Sequence, residues 1–178
     1  MQKLIRPLDL KVYNVSPGGR YLSMRGINFH QASDYPVPIG TPVYASNSGT
    51  LSNASNSSCG IGAMIVGNDN SNYVTSYCHL QQLAPQVELD LNTLGQSYVR
   101  QGQLIGYSGN SGKSTGPHLH FKVRNKTTGL TMDPEQIDYK KYRYNGFNWW
   151  SILFGAFAIY SLAHAYQDEK RRYKRKKR

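Results

Sequence analysis

The sequence predicts an all-β domain, an antiparallel, sandwich-like sheet, followed by one C-terminal transmembrane α-helix. Three observations carry that prediction. Short β-like runs recur up to about residue 135, separated by Gly/Asn/Ser turns. No sustained helical period appears before residue 145. Beyond it, 24 residues bracketed by Arg143 and Asp168 carry no formal charge.

In chain order, Ser16-Pro17-Gly18-Gly19 is a turn between two short β-like pieces, Lys11–Val15 and Arg20–Met24. The step Asp34-Tyr35-Pro36-Val37-Pro38 excludes helix, because a residue before proline is pushed to extended conformations. Pro42–Ser46 and Gly62–Gly67 read as strands. The Ser/Asn-rich stretch 46–58 between them reads as a solvated loop, with a groove wall as the alternative. Asn68–Asn72 is a turn, and Tyr73–Leu80 a further strand-like run. Residues 81–99 form a longer connection of weak periodicity, and Gln101-Gly102 turns into Leu104–Tyr107. Of the two cysteines, Cys78 would face away from its neighbour His79 on a regular strand. An even pair is compatible with a disulfide in an oxidising compartment, but free buried thiols are the favoured expectation.

The chemistry concentrates in Gly106–Val123, GYSGNSGKSTGPHLHFKV, a glycine-rich loop entering a strand. Alternation puts His118 and His120 on one face, about 7 Å apart, with Leu119 and Phe121 pointing into a core. His30 precedes Asp34 by four residues, and His79 lies in another β-like run. A catalytic zinc takes three protein ligands from imidazoles and carboxylates and keeps a fourth position for water. His30, Asp34 and one of His118 and His120 would meet that need, with His79 as an unligated imidazole beside the metal.

The motifs His30-x-x-x-Asp34, Tyr77-Cys78-His79-Leu80, Gly102–Gly106 and Ser114-Thr115-Gly116-Pro117-His118-Leu119-His120-Phe121 occur in this order, with Gly40–Ala45 and Ser48-Gly49 upstream. Over about residues 12–135 the chain resembles the lysostaphin/LytM-type zinc endopeptidases. That resemblance implies a groove across an antiparallel sheet, Zn2+ as cofactor, His30, Asp34 and His120 as metal ligands, and His79 and His118 as catalytic imidazoles. It makes the peptide stem or cross-bridge of peptidoglycan the substrate. Ala32-Ser33 departs from the Gly-Ile/Val that usually precedes the aspartate, which touches loop packing and not a ligand. Some members of the family have lost ligands and act only as activators; all five positions are present here.

The organisation expected is an endopeptidase domain at 1–138, a linker at 139–146, a transmembrane helix at 147–166 and a basic tail at 167–178. The apolar centre Phe147–Ala163 is 17 residues, about 26 Å as a helix, and extension to Tyr166 brings it to a span. Tyr144, Trp149 and Trp150 at one end and Tyr160 and Tyr166 at the other resemble interfacial belts, with His164 a bystander. Of a net charge of +11, residues 164–178 supply eight basic and two acidic groups, suited to anionic lipid or nucleic acid. Met1–Asp9 has no apolar signal-like core, so no cleaved secretory signal is expected. The positive-inside rule nevertheless puts the basic tail on the cytoplasmic side and the catalytic domain across the membrane. The expectation that reconciles the two is a bacteriophage protein fixed in a virion internal membrane, beside other virion proteins, and used for cell-wall entry. The alternatives are a cellular or lytic-phase enzyme anchored in the bacterial envelope, and a non-catalytic activator module of the same fold.

Overall fold

The computed structural model describes residues 2–11 and 14–142. They belong to one compact unit, Met1–Tyr142. Its strands are β1 (Met24–Arg25), β2 (Asn28–Phe29), β3 (Ser33–Pro36), β4 (Pro42–Tyr44), β5 (Gly49–Asn53), β6 (Ile61–Gly67), β7 (Tyr73–Leu83), β8 (Ser97–Val99), β9 (Leu104–Ser108), β10 (His118–Asn125) and β11 (Thr131–Met132). The one helix among the described residues longer than a 3₁₀ turn is α1 (Pro85–Leu94).

β1 and β2 form a separate hairpin. The remaining nine strands make one antiparallel sheet in the order β11-β10-β7-β6-β5-β8, with β3 added to β10, and β9 carrying β4 alongside β7. The fold is therefore a single branched sheet. The long β7 sits at the branch: its first part pairs with β10 and β6, its last part with β9. Alternation works as expected on β10, where Leu119, Phe121 and Val123 are fully buried and the intervening side chains are not. Phe121 packs 5.3 Å from the Tyr77 ring and 6.4 Å from that of Tyr35. Val43, Leu51, Ile65 and Ile105 bring the other branch into the same core.

Several sequence expectations need correction. The stretch read as a loop at 46–58 contains β5, an interior strand between β6 and β8. Its polar composition hid a half-buried strand, because only Gly49 and Leu51 face inward. Gly49 has no room for a side chain: a Cβ would lie 2.0 Å from the Val66 carbonyl oxygen. The connection at 81–99 holds the end of β7, α1 and β8. Its helix was faint because only Val87 is buried, although Pro85 opens it and Gly95 closes it at φ 72°. Neither Lys11 nor Asn14–Val15 is strand, and within Arg20–Met24 only Met24 belongs to one. Pro17–Gly19 forms a 3₁₀ turn between them.

The two cysteines are not free: Cys59 and Cys78 form a disulfide. Their Cα atoms lie 4.9 Å apart, a separation that sequence spacing does not reveal. At the C-terminal end, Tyr139 packs beneath the Arg6 guanidinium, 4.2 Å from ring centre, and the Lys140 N–H donates to the Leu4 carbonyl at 2.9 Å. Among the described residues no helix is long and apolar enough to cross a membrane. The transmembrane helix expected at 147–166 and the tail at 167–178 lie outside the described residues.

Candidate metal centre and active site

β10 is held between β3 and β7, with His120 directly opposite Asp34 on one side and Cys78 on the other. Directly opposed side chains in an antiparallel pair share a face, so the register itself delivers Asp34 to His120. His30 enters from the segment before β3. Its Nε2 lies 3.1 Å from His120 Nδ1 and 3.3 Å from Asp34 Oδ1, and His120 Nδ1 lies 2.9 Å from the same oxygen.

These three atoms form the metal-ligand-type cluster among the described residues. His30 Nδ1–H donates to the Arg20 carbonyl at 3.3 Å, leaving a lone pair on Nε2 that faces the other two donors. Three electron-pair donors this close repel one another unless a cation or protons lie among them. Tetrahedral zinc with ligands at about 2.0–2.1 Å sets neighbouring ligand atoms about 3.3 Å apart. The observed edges are close to that value, so the residues present fit a zinc ion.

Asp34 is buried, which raises its carboxyl pKa, but when the facing ring nitrogens of His120 and His30 carry protons in place of a cation, their hydrogen bonds outweigh burial and hold it well below the usual carboxylate range. Its other oxygen, Oδ2, receives Nη2 of Arg25. Arg25 was not singled out in the sequence: it sits on a two-residue strand whose register no local pattern announces.

His79 reaches the same place by an irregular route. Ile61 pairs with Leu80 and Ala63 with Tyr77, so Gly62 alone faces both Cys78 and His79, a β-bulge. His79 takes φ 62°, a left-handed conformation that is unusual outside glycine. The bulge breaks the alternation expected of Cys78 and His79. Cys78 shares the face of His120, yet the His79 ring also comes within 5.7 Å of the His120 ring and 4.6 Å of that of His118.

The loop 109–112 fixes that ring. His79 Nδ1–H donates to the Ser111 carbonyl at 2.8 Å, while Ser111 Oγ donates to Leu80 O at 2.7 Å and accepts from Ile61 N–H at 2.9 Å. Glycine is required where the loops meet. A Cβ on Gly60, at φ 67°, would lie 2.3 Å from Ser111 Oγ and 2.5 Å from Gly112 N. Burial lowers the His79 pKa, with the neighbouring His118 and His120 acting the same way against the Ser111 carbonyl. His118 Nδ1–H donates to the Gly116 carbonyl at 2.7 Å, and its Nε2 lies 3.7 Å from Asp34 Oδ1. Both His79 and His118 thus have Nδ1 occupied by a carbonyl and Nε2 available. The structure brings all five sequence-selected residues together; Ser111, Gly116 and Arg25 complete the set. A groove of about 670 Å³ opens beside His118, between the Lys113–His118 loop and a wall that includes Gly18, Met24 and Arg25.

The chain is 31% identical over 134 residues to peptidoglycan DD-endopeptidase ShyC of Vibrio cholerae, covering 74% of this chain and 28% of that protein. It is 37% identical over 115 residues to lysostaphin of Staphylococcus staphylolyticus, covering 61% and 22%. The chain thus spans well under a third of these relatives' lengths. Among solved structures, a zinc-containing peptidase from Vibrio cholerae superposes with TM-score 0.62 at 25% identity, covering 78% of this chain and 41% of that one. The catalytic domain of the prophage-encoded M23 protein EnpA from Enterococcus faecalis, in a mutant form, gives 0.55 at 27%, covering 73% and 95%. The lysostaphin catalytic domain from Staphylococcus simulans gives 0.54 at 32%, covering 69% and 90%. Residues 28–134 match peptidase family M23, and the chain belongs to that family.

Proposed function

We propose that this chain is a zinc-dependent endopeptidase that hydrolyses peptide cross-links of bacterial peptidoglycan. The observation that carries the reading is the convergence of His30, Asp34 and His120 on one point, with the Nε2 atoms of His79 and His118 available beside it. His30 Nε2, Asp34 Oδ1 and His120 Nδ1 would hold the ion. Zinc bound there supplies a Lewis acid for the scissile carbonyl and a water whose pKa falls to about 7. His79 and His118, each held in the Nε2-available tautomer, take the proton of the attacking water and return it to the leaving amine. In the protonated form either can also donate to the oxyanion. Arg25, on Asp34 Oδ2, keeps the carboxylate oriented.

We also propose that residues 147–166 anchor the protein in a membrane and that the basic tail contacts anionic lipid or nucleic acid. The uncharged, aromatic-flanked sequence and the cluster Lys170–Arg178 support this. A phage particle carrying its own lipid accommodates both, and a structural neighbour is a prophage-encoded M23 protein. A second reading, an enzyme anchored in the cell envelope, is favoured by the Cys59–Cys78 disulfide, since disulfides persist in oxidising compartments.

Digestion of purified peptidoglycan with and without chelator, followed by mass analysis of the fragments, tests the activity. Release of cross-link peptides only in the zinc-loaded sample is expected. Intact sacculi with stoichiometric zinc bound would leave a binding or activator module. Recovery of the protein in purified particles or only in host envelopes decides its location.

A further inference from the structure

The groove beside His118 is lined by two cations, Arg25 on one wall and Lys113 on the other. Asp34 is the one carboxylate lining it among the described residues, and both its oxygens are engaged, Oδ1 by the histidines and Oδ2 by Arg25. Arg25 uses Nη2 for Asp34, and Nε and Nη2 for the Gly18 carbonyl at 3.3 and 3.2 Å. Among the described residues its Nη1 has no protein partner, and neither has Lys113 Nζ. The Lys113 backbone is tied down by its N–H to Ser58 O at 2.9 Å, so its side chain is carried by a fixed loop. A cleft lined by one sign of charge concentrates the opposite sign, and a guanidinium and an ammonium group lining the same groove suit a carboxylate.

We propose that the groove selects a peptide bearing a free carboxylate beside the scissile bond, received by Lys113 Nζ and Arg25 Nη1. The inference rests on the endopeptidase reading and adds the substrate class: an anionic cross-link, in preference to a neutral glycine bridge or an amidated one. Arg25 thereby joins the metal site to substrate recognition, one end of its fork on a proposed metal ligand and the other open to the groove.

The test uses the zinc-loaded full-length protein and two synthetic cross-linked peptides that differ only in whether that carboxyl is free or a carboxamide. Both kcat/KM and the Kd of fluorescently labelled peptide are measured. The free carboxylate is expected to bind about tenfold more tightly, in keeping with a charge-assisted contact, and less so as salt rises. Lys113→Gln should remove about three- to tenfold of that preference through KM, with a smaller loss for the carboxamide peptide. Arg25→Gln should weaken turnover of both peptides through Asp34 but reduce the preference as well. A purely structural role for either residue would lower both peptides equally. Equal Kd values in the unsubstituted protein, or a preference unchanged in both variants, would overturn the proposal. Unequal Kd values without cleavage of either peptide would instead uphold the carboxylate site and sink the endopeptidase reading.

Discussion

His120 Nδ1 lies 2.9 Å from Asp34 Oδ1, although 86 residues separate them, because the register of β3 on β10 pairs the two residues directly. The site is thereby built on sheet hydrogen bonding, and two of its three proposed ligands need no loop to bring them together. His30→Ala, Asp34→Ala and His120→Ala are expected to lose zinc and all lysis together. His79→Ala and His118→Ala should retain stoichiometric zinc while turnover falls by about 10²- to 10⁴-fold. Metal analysis beside a sacculus assay checks this, and full zinc with full activity in the His120→Ala protein would refute the ligand assignment.

The disulfide has a mechanical role that its position implies. Cys78 adjoins His79 on the bulge, and the Cys59 carbonyl accepts the His79 N–H at 2.8 Å. Cys59 also belongs to the turn whose neighbours Ser58 and Gly60 meet the loop carrying Ser111. Cys59→Ser with Cys78→Ser should lower the unfolding free energy by about 3 kcal/mol, given the 19-residue separation. It should also slow turnover while leaving zinc content unchanged, since the metal ligands lie on other segments. Denaturant melts and zinc analysis of the same samples read both effects. Unaltered stability in the double variant would remove the bridge from the account of how His79 is held.

Tyr77 shows how a polar group is accommodated in the core. It is fully buried, and its hydroxyl accepts the Ser46 N–H at 2.8 Å and donates to Thr75 Oγ1 at 3.0 Å, which donates in turn to Asn47 Oδ1 at 2.7 Å. Burial raises its pKa against those two partners. Tyr77→Phe keeps the ring against Phe121 but orphans a buried N–H, so a loss of about 1–3 kcal/mol is expected. A melt shifted by less than the experimental error would mean that water replaces the hydroxyl.

What could be read from the sequence and what could not divide along physical lines. The His118/His120 face and the buried Leu119 and Phe121 followed from alternation, and the mostly-β class from short runs between Gly/Asn/Ser turns, all local properties, although the expected all-β domain contains the helix α1. His30 and Asp34 were legible as a spaced pair, but only the strand register brings them to His120. The bulge at Cys78–His79 was invisible because alternation assumes a regular ladder. The disulfide and the contacts of Ser111 and Arg25 depend on loops and a short strand that meet only in three dimensions. β5 and α1 were missed because each buries one or two side chains and so carries almost no periodic signal.

The domain continues past residue 138. Tyr139 packs under Arg6, Lys140 N–H bonds back to Leu4, and a Cβ on Gly102 would lie 2.1 Å from the Tyr142 hydroxyl, so the chain stays in contact with the domain through Tyr142. A cut at 138 would remove the Tyr139 ring from Arg6 and expose partly buried core, whereas a cut after 142 severs none of these contacts. A fragment of residues 1–142 is therefore expected to be monodisperse, to unfold cooperatively and to bind zinc as the full chain does. Residues 1–138 should be less stable by about 1–3 kcal/mol, from the lost aromatic burial and cation–π contact. If residues 147–166 form the anchor, the 1–142 fragment should also leave the membrane fraction that retains the full chain. Chemical denaturation compares the two fragments, and membrane flotation compares 1–142 with the full chain. Equal stability of the two fragments would place the boundary before Tyr139, and co-flotation of 1–142 with membranes would locate the membrane contact in the catalytic domain itself.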